Sequence, residues 1–180
     1  MQIPLVKLKA ILRYFCTHTN PELLGKTKLM KLLYFMDFEH VKRYGSPITF
    51  DRYIHLEHGP VPSKILNLVN AVIDEGEGAI LADTISVRKE PGMDLQKINC
   101  IKGFTDDDKK FFSVNELGVL EKICFRFKES TAKQLEDISH SEAPWLKTSE
   151  PEDIPYSLAA EDSDAVVDKE AIELASKIYA

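Results

Sequence analysis

The stretch KLMKLLYFMDFEHVKRYG, residues 28–45, decides the fold of this chain. Its large apolar residues recur at helical spacing and leave little of the helix circumference polar. A helix of this kind is stable only when it is covered on most sides, so the sequence predicts a central, buried helix. Gly45 fits the left-handed position that ends such a helix, and Pro47 prevents it from resuming. The main apolar face consists of Leu29, Leu32, Leu33 and Met36.

Beyond this helix the pattern changes to a period of two. Residues 48–57 alternate between apolar and polar side chains, which predicts a strand with one buried face. The alternation directs one set toward the core, namely Ile48, Phe50, Ile54 and Leu56, and the other toward solvent or a partner, namely Thr49, Asp51, Tyr53, His55 and Glu57.

The segment GPVP, residues 59–62, predicts a rigid corner after this strand. Gly59 permits a tight reversal with positive φ, and the two prolines stiffen the backbone. Val61 is expected to tuck into the core, and the next helix to begin at Pro62 or Ser63. His58, directly before the corner, is expected to hold it by a hydrogen bond to a backbone group.

The rest of the chain predicts more helices and one hairpin. Together these patterns predict an α+β, mainly α-helical fold: a helical bundle with a small antiparallel β element, a strand near 48–57 and a hairpin near 80–101. Residues 1–148 are expected to form one domain, on which the acidic linker and C-terminal helix of residues 149–180 dock. The further predicted elements are helices at 5–15, 65–73 and 168–179, a hairpin turn at Pro91-Gly92, and helices opened by capping boxes at 113–116 and 131–134.

Length and composition indicate an ordinary globular protein. At 180 residues the chain is long enough to bury a core. No apolar run reaches the roughly 18 residues that a membrane-spanning helix needs. Cys16, Cys100 and Cys124 are odd in number, far apart and set in apolar patterns, which predicts three buried, reduced thiols. We therefore expect a cytoplasmic protein.

The net charge of −6 is concentrated at the C-terminus. Residues 149–180 hold 9 of the 29 acidic residues and 2 of the 23 lysines and arginines, whereas the preceding part is nearly neutral. This distribution disfavours binding to a nucleic-acid backbone and suits a basic protein partner. The alternative is a merely solvated acidic edge. The candidate partner-binding acids are Glu161, Asp162, Asp164 and Asp168.

The sequence predicts no catalytic centre, metal site or cofactor. Gly25-Lys26-Thr27 lacks the earlier glycine and the preceding strand of a phosphate-binding loop. His55 and His58 would point to opposite faces of a strand, so they cannot share a metal ion. The run at residues 106–108 is acidic, which is typical of a helix start. No Gly-x-Ser-x-Gly nucleophile elbow is present.

Three ordered motifs together resemble a known family, the Panacea domain of SocA-like antitoxins. They are the helix beginning KLMKLLY, the corner HGPV, and a late His-x-x-x-Pro-Trp. His58 departs from the pattern, since an aromatic Tyr commonly precedes Gly-Pro in the family. The motifs fall on Lys28, Leu29, Lys31, Leu32, Leu33, Tyr34, Tyr44, Gly45, Gly59, Pro60, Val61, His140, Pro144 and Trp145.

The resemblance implies a mainly helical domain that neutralises a toxin by binding it, without enzymatic activity. Some relatives are thought to act as adaptors that present the toxin to a protease. The implied partner is therefore a cognate toxin, joined by a cellular protease if the chain acts as an adaptor. Hydropathy argues against a membrane partner and the charge distribution against a nucleic acid. The oligomeric state stays open. We expect the motif residues to be mainly architectural, with Trp145 sealing the bottom of the core.

Two alternatives compete with the antitoxin hypothesis. The first is a hydrolase or other enzyme that uses a cluster of His55, Glu57 and His58, to which folding could bring Asp37 or His140. The second is a nucleic-acid-binding regulator, because the capped helix pair near 113–140 could mimic a helix-turn-helix. Its candidate recognition helix carries Glu136 and Asp137 beside a single lysine, which would repel phosphates.

Overall fold

The structure is a computed structural model that describes residues 3–89 and 96–179. Its helices and strands are α1 (Leu5–His18), α2 (Lys26–Tyr44), β1 (Tyr53–Leu56), β2 (Gly59–Pro62), α3 (Ser63–Asp74), β3 (Ile85–Lys89), β4 (Gln96–Cys100), α4 (Val114–Phe127), α5 (Ala132–Ser139), α6 (Ala143–Leu146), β5 (Asp153–Ile154) and α7 (Lys169–Tyr179). Short 3-10 turns occur at Gly76–Gly78, Asp106–Phe111 and Tyr156–Glu161.

Helix α2 lies at the centre of the molecule, as its sequence predicts. Every residue from Lys28 to Lys42 is buried, because α4, α5, β2 and the 3-10 turn at Tyr156–Glu161 surround the helix. Gly45 ends it in the left-handed conformation, with φ of 80°. The helix begins at Lys26, with Gly25 in the N-cap position.

The predicted fold class is confirmed. The described chain is mainly helical and contains two small antiparallel sheets, one with strand order β2-β1-β5 and one formed by the β3–β4 hairpin. The hairpin turn at Pro91-Gly92 lies outside the described residues. The capping boxes that open α4 and α5 form as predicted, and a further one, from Thr105 to Asp108, opens the turn at Asp106–Phe111.

The predicted strand at 48–57 is wrong both in its length and in which of its side chains face the core. Only Tyr53–Leu56 forms a strand, and within it Tyr53 and His55 are buried while Ile54 and Leu56 are half-buried. Phe50 adopts a positive φ of 55°, which interrupts the alternation before the strand begins. Because side chains alternate with a period of two, a shift of one residue exchanges the two faces.

The corner after β1 is a hairpin. Leu56 pairs with Gly59, so Glu57 and His58 form the turn and residues 59–62 form β2. Gly59 has the predicted positive φ, at 101°, and α3 begins at Ser63 as expected.

The predicted role of His58 at this corner is wrong, since its side chain is 72% exposed and lies 3.7 Å from the Glu136 carboxylate. Asp51 holds the corner instead. Its carboxylate accepts the backbone N–H groups of Lys64 and Ile65 in the first turn of α3.

The C-terminal segment packs against the central helix and the first sheet. Strand β5 pairs with β1, and the Tyr156 hydroxyl donates to the Asp51 carbonyl at 2.7 Å. Ile154, Ala159 and Ile172 are buried. The division into a domain over 1–148 and a docked tail over 149–180 stays a prediction. Within the described residues, no helix is both long and apolar enough to cross a membrane.

Candidate partner-binding site

Residues from two separate motifs meet at a buried lysine. Lys31, in the second turn of α2, is only 1% exposed and donates a hydrogen bond to the Pro60 carbonyl at 3.3 Å. Gly59 covers the ammonium group, because a Cβ atom at this position would collide with Lys31 Nζ and would lie 3.1 Å from Ser139 Oγ. Gly59 is therefore required both for its positive φ and for the space that Lys31 occupies.

Burial changes the chemistry of this lysine. Loss of solvent lowers the pKa of Lys31 to about 7, and the Glu136 carboxylate only partly opposes that shift. An ammonium has three donors, and the hydrogen bond that the described residues provide for Lys31 is the one to Pro60. The group therefore keeps the capacity to bind a further acceptor.

The third motif forms an aromatic stack beside Lys31. The Trp145 ring lies between His55 and His140, with centroid distances of 3.4 and 4.0 Å and interplanar angles of 20° and 7°. Burial lowers the pKa of both histidines, and the positive charge of Lys31 lowers it further. Both effects favour neutral imidazoles. His55 Nδ1 lies 2.9 Å from Thr148 Oγ1, and His140 Nε2 is buried without a partner among the described residues. Trp145 itself is half-buried, so it covers the edge of the core rather than filling its bottom.

An open groove runs over Lys31, between the first turns of α2 and the β1–β2 hairpin. We name this 300 Å³ cavity the Lys31 groove. Lys31 and Gly59 are part of its lining, and Gly59 separates the buried Lys31 ammonium from the open space. The apolar walls are Met30, Leu56, Val61 and Leu66, and the charged or polar rim is Lys26, Thr27, Glu57, His58 and Glu150.

This geometry coincides with a family match. The family model described as "Antitoxin SocA-like, Panacea domain" matches residues 29–146, which is most of the chain. The chain belongs to this family. No curated protein matches it, and neither does a solved structure. The matched region of the Panacea domain includes Lys31, Gly59 and the His140–Trp145 motif.

Most of the other motif residues of this Panacea domain are buried. Lys28 is buried near the N-terminus of α2, where its ammonium donates to the Lys128 carbonyl at 2.8 Å. Tyr44 is exposed, because it lies at the end of α2 before Gly45, and Val61 is half-buried. The buried ones are Leu29, Leu32, Leu33, Tyr34, Pro60 and Pro144.

A second polar centre lies at Asp37, which is not one of the family-motif residues. Its buried carboxylate accepts hydrogen bonds from the backbone N–H groups of Ile48 and Thr49 and from the Thr49 and Tyr53 hydroxyls. Burial raises the pKa of Asp37 to about 6 although these donors oppose the rise. Since its acceptor capacity is used by the protein, Asp37 anchors the segment before β1. Its partners are 11 or more residues away in sequence, so no local pattern indicates them.

The predicted hydrolase cluster does not form in the Panacea domain. His55 stacks on Trp145, whereas Glu57 and His58 are exposed at the hairpin turn. Tyr53, a candidate partner contact, is buried and donates to Asp37 at 3.0 Å. Within residues 3–89 and 96–179, no three His, Cys, Asp or Glu side chains are grouped so that they could hold a metal ion.

The acidic candidates near the C-terminus are engaged within the chain. Asp162 and Asp164 form ion pairs with the buried Lys42, at 2.9 and 3.2 Å. The Glu161 carboxylate pairs with Lys147 and Lys169. The Asp168 carboxylate accepts the Ala171 N–H in the first turn of α7. The sequence alone did not indicate Lys42 as the internal partner of Asp162 and Asp164, because it lies in a helix more than 100 residues away.

Proposed function

We propose that this protein is an antitoxin that neutralises a cognate toxin by binding it directly. Membership of the SocA-like antitoxin family carries this proposal. The geometry of the chain is consistent with it, because the polar groups at Asp37 and Lys42 are used to hold the fold together. The Lys31 groove differs from these centres, because it is an open cavity with a buried, incompletely bonded donor in its lining.

The Lys31 groove is the proposed toxin contact. Burying an ammonium without an ion-pair partner costs stability, and a hydrophobic side chain of similar length would fill the same space without that cost. A partner that supplies an acceptor would offset the desolvation of Lys31. The apolar walls would take up an apolar side chain next to it. The matching ligand is a toxin segment that presents an apolar side chain adjacent to a carboxylate or carbonyl oxygen.

Co-expression tests the function. The toxin candidate is the product of the gene adjacent to the one that encodes this chain, expressed alone and together with it. Growth arrest by the candidate alone, rescue by this protein and co-purification of the two chains are the expected results. If neither rescue nor a complex is observed with a toxic neighbour, the proposed function is wrong.

A matched pair of variants tests the groove. Lys31→Met removes the ammonium at the floor of the groove, and we expect a folded protein that no longer neutralises the toxin. Lys28→Met removes a different buried lysine of α2, whose ammonium binds the Lys128 carbonyl outside the groove. This control should still neutralise the toxin. Equal rescue by both variants would exclude the groove as the contact while leaving the antitoxin function intact.

Binding can neutralise a toxin by occluding its working surface or by presenting it to a protease. The two routes differ in the lifetime of the toxin. A pulse-chase of toxin with and without this protein separates them, since occlusion leaves the half-life unchanged or longer. Delivery to a protease shortens it, and the shortening disappears in a strain without that protease.

A further inference from the structure

The outer face of α4 carries two large apolar side chains that the rest of the described chain does not cover. Val114 and Phe125 are 86% and 83% exposed. Gly118 lies between them on the same face, and a Cβ atom added there would meet nothing within 4 Å. The helix is nevertheless firmly anchored, because its opposite face is buried. The residues of that buried face are Val119, Leu120, Ile123, Cys124 and Phe127.

Four charged residues flank Phe125, two on each side of it around the helix. At about 100° per residue, Glu121 and Lys128 lie about 40° and 60° to one side of Phe125, and Lys122 and Glu129 lie about 60° and 40° to the other. Lys128, at the C-cap, keeps helical backbone angles, so this spacing continues past the end of the helix. On each flank, the residue before Phe125 and the residue after it have opposite charges.

A second copy of α4 that runs in the opposite direction matches this charge pattern. A two-fold axis at Phe125 places each flank of one helix against the same flank of the other, with the chain direction reversed. Glu121 then faces Lys128 of the second copy, and Lys122 faces Glu129 of the second copy. At about 1.5 Å of rise per residue, the two members of each pair differ by only about 1.5 Å along the helix axis. Flanking charges of this kind set the orientation of paired helices.

The flank formed by Glu121 and Lys128 carries most of this argument. Within the described part of the chain, neither side chain forms an ion pair or a hydrogen bond. The two cannot pair with each other in one helix, because seven residues separate them by about 10 Å along the axis. Lys122 and Glu129 already have hydrogen-bond partners in their own chain, so their attraction across the axis adds less.

We propose that this protein forms a two-fold symmetric dimer through antiparallel contact of its α4 helices, centred on Phe125. The contact covers two exposed phenylalanine rings and surrounds them with pairs of opposite charge. A contact between two single helices is smaller than a standard protein interface, so the dimer should dissociate in the micromolar range. None of the residues that line the Lys31 groove belongs to α4, and the proposal is therefore independent of toxin binding.

Sedimentation equilibrium of the full-length chain, from low micromolar to near-millimolar concentration, tests the dimer. The data should fit a monomer–dimer equilibrium whose dissociation constant rises with salt, because the flanking charges are exposed. Phe125→Ser should raise that constant at least about tenfold, since it removes the apolar centre of the contact. Val114→Ser is the matched control, because Val114 is as exposed as Phe125 but lies about three helical turns from the axis. An equal effect of the two variants would contradict the proposed centre.

Charge reversal tests the orientation of the two helices. Glu121→Lys and Lys128→Glu each place like charges across the axis, and symmetry makes this happen twice, so each variant should weaken the dimer several-fold. The double variant with both changes restores opposite charges and should return to the dissociation constant of the unmodified chain. Both side chains are exposed, so thermal unfolding of the variants should be unchanged. A double variant that dimerises no better than the single ones would exclude the antiparallel arrangement.

A disulfide locates the two-fold axis. Phe125→Cys should link two copies under mild oxidation, whereas Val114→Cys, far from the axis, should not. Peptide mapping must identify the linked residues, because Cys16 and Cys100 are partly exposed, contrary to the sequence prediction of three buried thiols, while Cys124 is buried as expected.

Two results would overturn the proposal. They are a chain that stays monomeric at near-millimolar concentration and a dimer that Phe125→Ser does not weaken. If the chain is monomeric and Phe125→Ser no longer neutralises the toxin, the outer face of α4 binds the toxin instead of a second copy.

Discussion

At the scale of single residues, Gly59 and Lys31 constrain each other. Gly59 has φ of 101°, and its missing Cβ leaves the space that Lys31 Nζ occupies. We expect the backbone strain in Gly59→Val to lower the free energy of unfolding by about 1–3 kcal/mol. The collision with Lys31, which must move, should lower it further. Chemical denaturation measures the loss. Gly78→Ala is the matched control, since Gly78 has open space around it and no positive φ, and a loss as large at Gly78 would contradict this account.

Lys31 should make stability depend on pH. Its pKa is about 7 in the folded protein, below its ordinary value of 10.5, so between these values the unfolded chain binds a proton that the folded chain does not. The free energy of unfolding then rises with pH across this window, and below pH 7 the cost of the buried ammonium is fully present. Lys31→Met should be more stable than the unmodified protein at pH 7, and its advantage should shrink toward pH 10.

Denaturant titrations of both proteins at several pH values give this difference directly. Taking the difference removes the contributions of the other groups that titrate in the window, among them Cys100 and Lys28. A difference that stays constant from pH 7 to pH 10 would show that the folded protein does not depress the pKa of Lys31. A variant that gains stability but loses toxin neutralisation would fit a residue retained for function.

Single residues differ in how far the sequence predicts them. The positive φ at Gly59 was predictable, because a glycine before two prolines is a local signal. The burial of Lys31 was not, since lysines are rarely buried and the acceptor, the Pro60 carbonyl, lies on another element. The stack around the half-buried Trp145 was not predictable either. It includes His55, which the alternation of side chains predicted on the solvent face and which is buried.

At the scale of elements, periodicity succeeded where burial was determined within one segment. Helix α2 is apolar around most of its circumference, so any packing arrangement buries it. The prediction of a strand from residue 48 failed because the backbone N–H groups of Ile48 and Thr49 donate to the Asp37 carboxylate, which holds them in an irregular turn. Phe50 then adopts a positive φ. That turn depends on a carboxylate in another element, and alternation cannot indicate it.

The start of α3 offers a test of one such long-range contact. The Asp51 carboxylate accepts the N–H groups of Lys64 and Ile65, and no side chain of the helix caps them. Asp51→Ala should lower the free energy of unfolding by about 1–2 kcal/mol, as for loss of an N-cap acceptor. Asp74→Ala, at the other end of α3, should have no such effect because a carboxylate is unfavourable at a helix C-terminus. Faster hydrogen exchange confined to the first turn of α3 would locate the loss.

At the scale of the whole molecule, the acidic C-terminal segment neutralises charge inside the chain. Lys42 is buried on α2, and its ammonium is surrounded by the carboxylates of Glu142, Asp162 and Asp164. These attractions raise the pKa of Lys42 although burial lowers it. Two of the three carboxylates come from the segment that the sequence indicated as a surface for a basic partner. Their charge is therefore only partly available to a toxin.

Removing residues 149–180 should therefore destabilise the fold before it affects any partner. The truncation deletes β5 and Tyr156, exposes apolar surface that Ile154 and Ala159 cover, and leaves Lys42 with Glu142 alone. A buried charge left without any partner costs about 3–5 kcal/mol, and Lys42 loses two of its three carboxylates in addition to the lost strand and apolar contacts. We expect loss of the cooperative thermal transition. A shorter deletion, of residues 169–180, keeps β5, Tyr156 and both aspartates and should retain that transition at a lower temperature. If the longer truncation has the same melting temperature as the full-length chain, the segment is not part of the folded core. Its acidic residues would then again be candidates for the toxin contact.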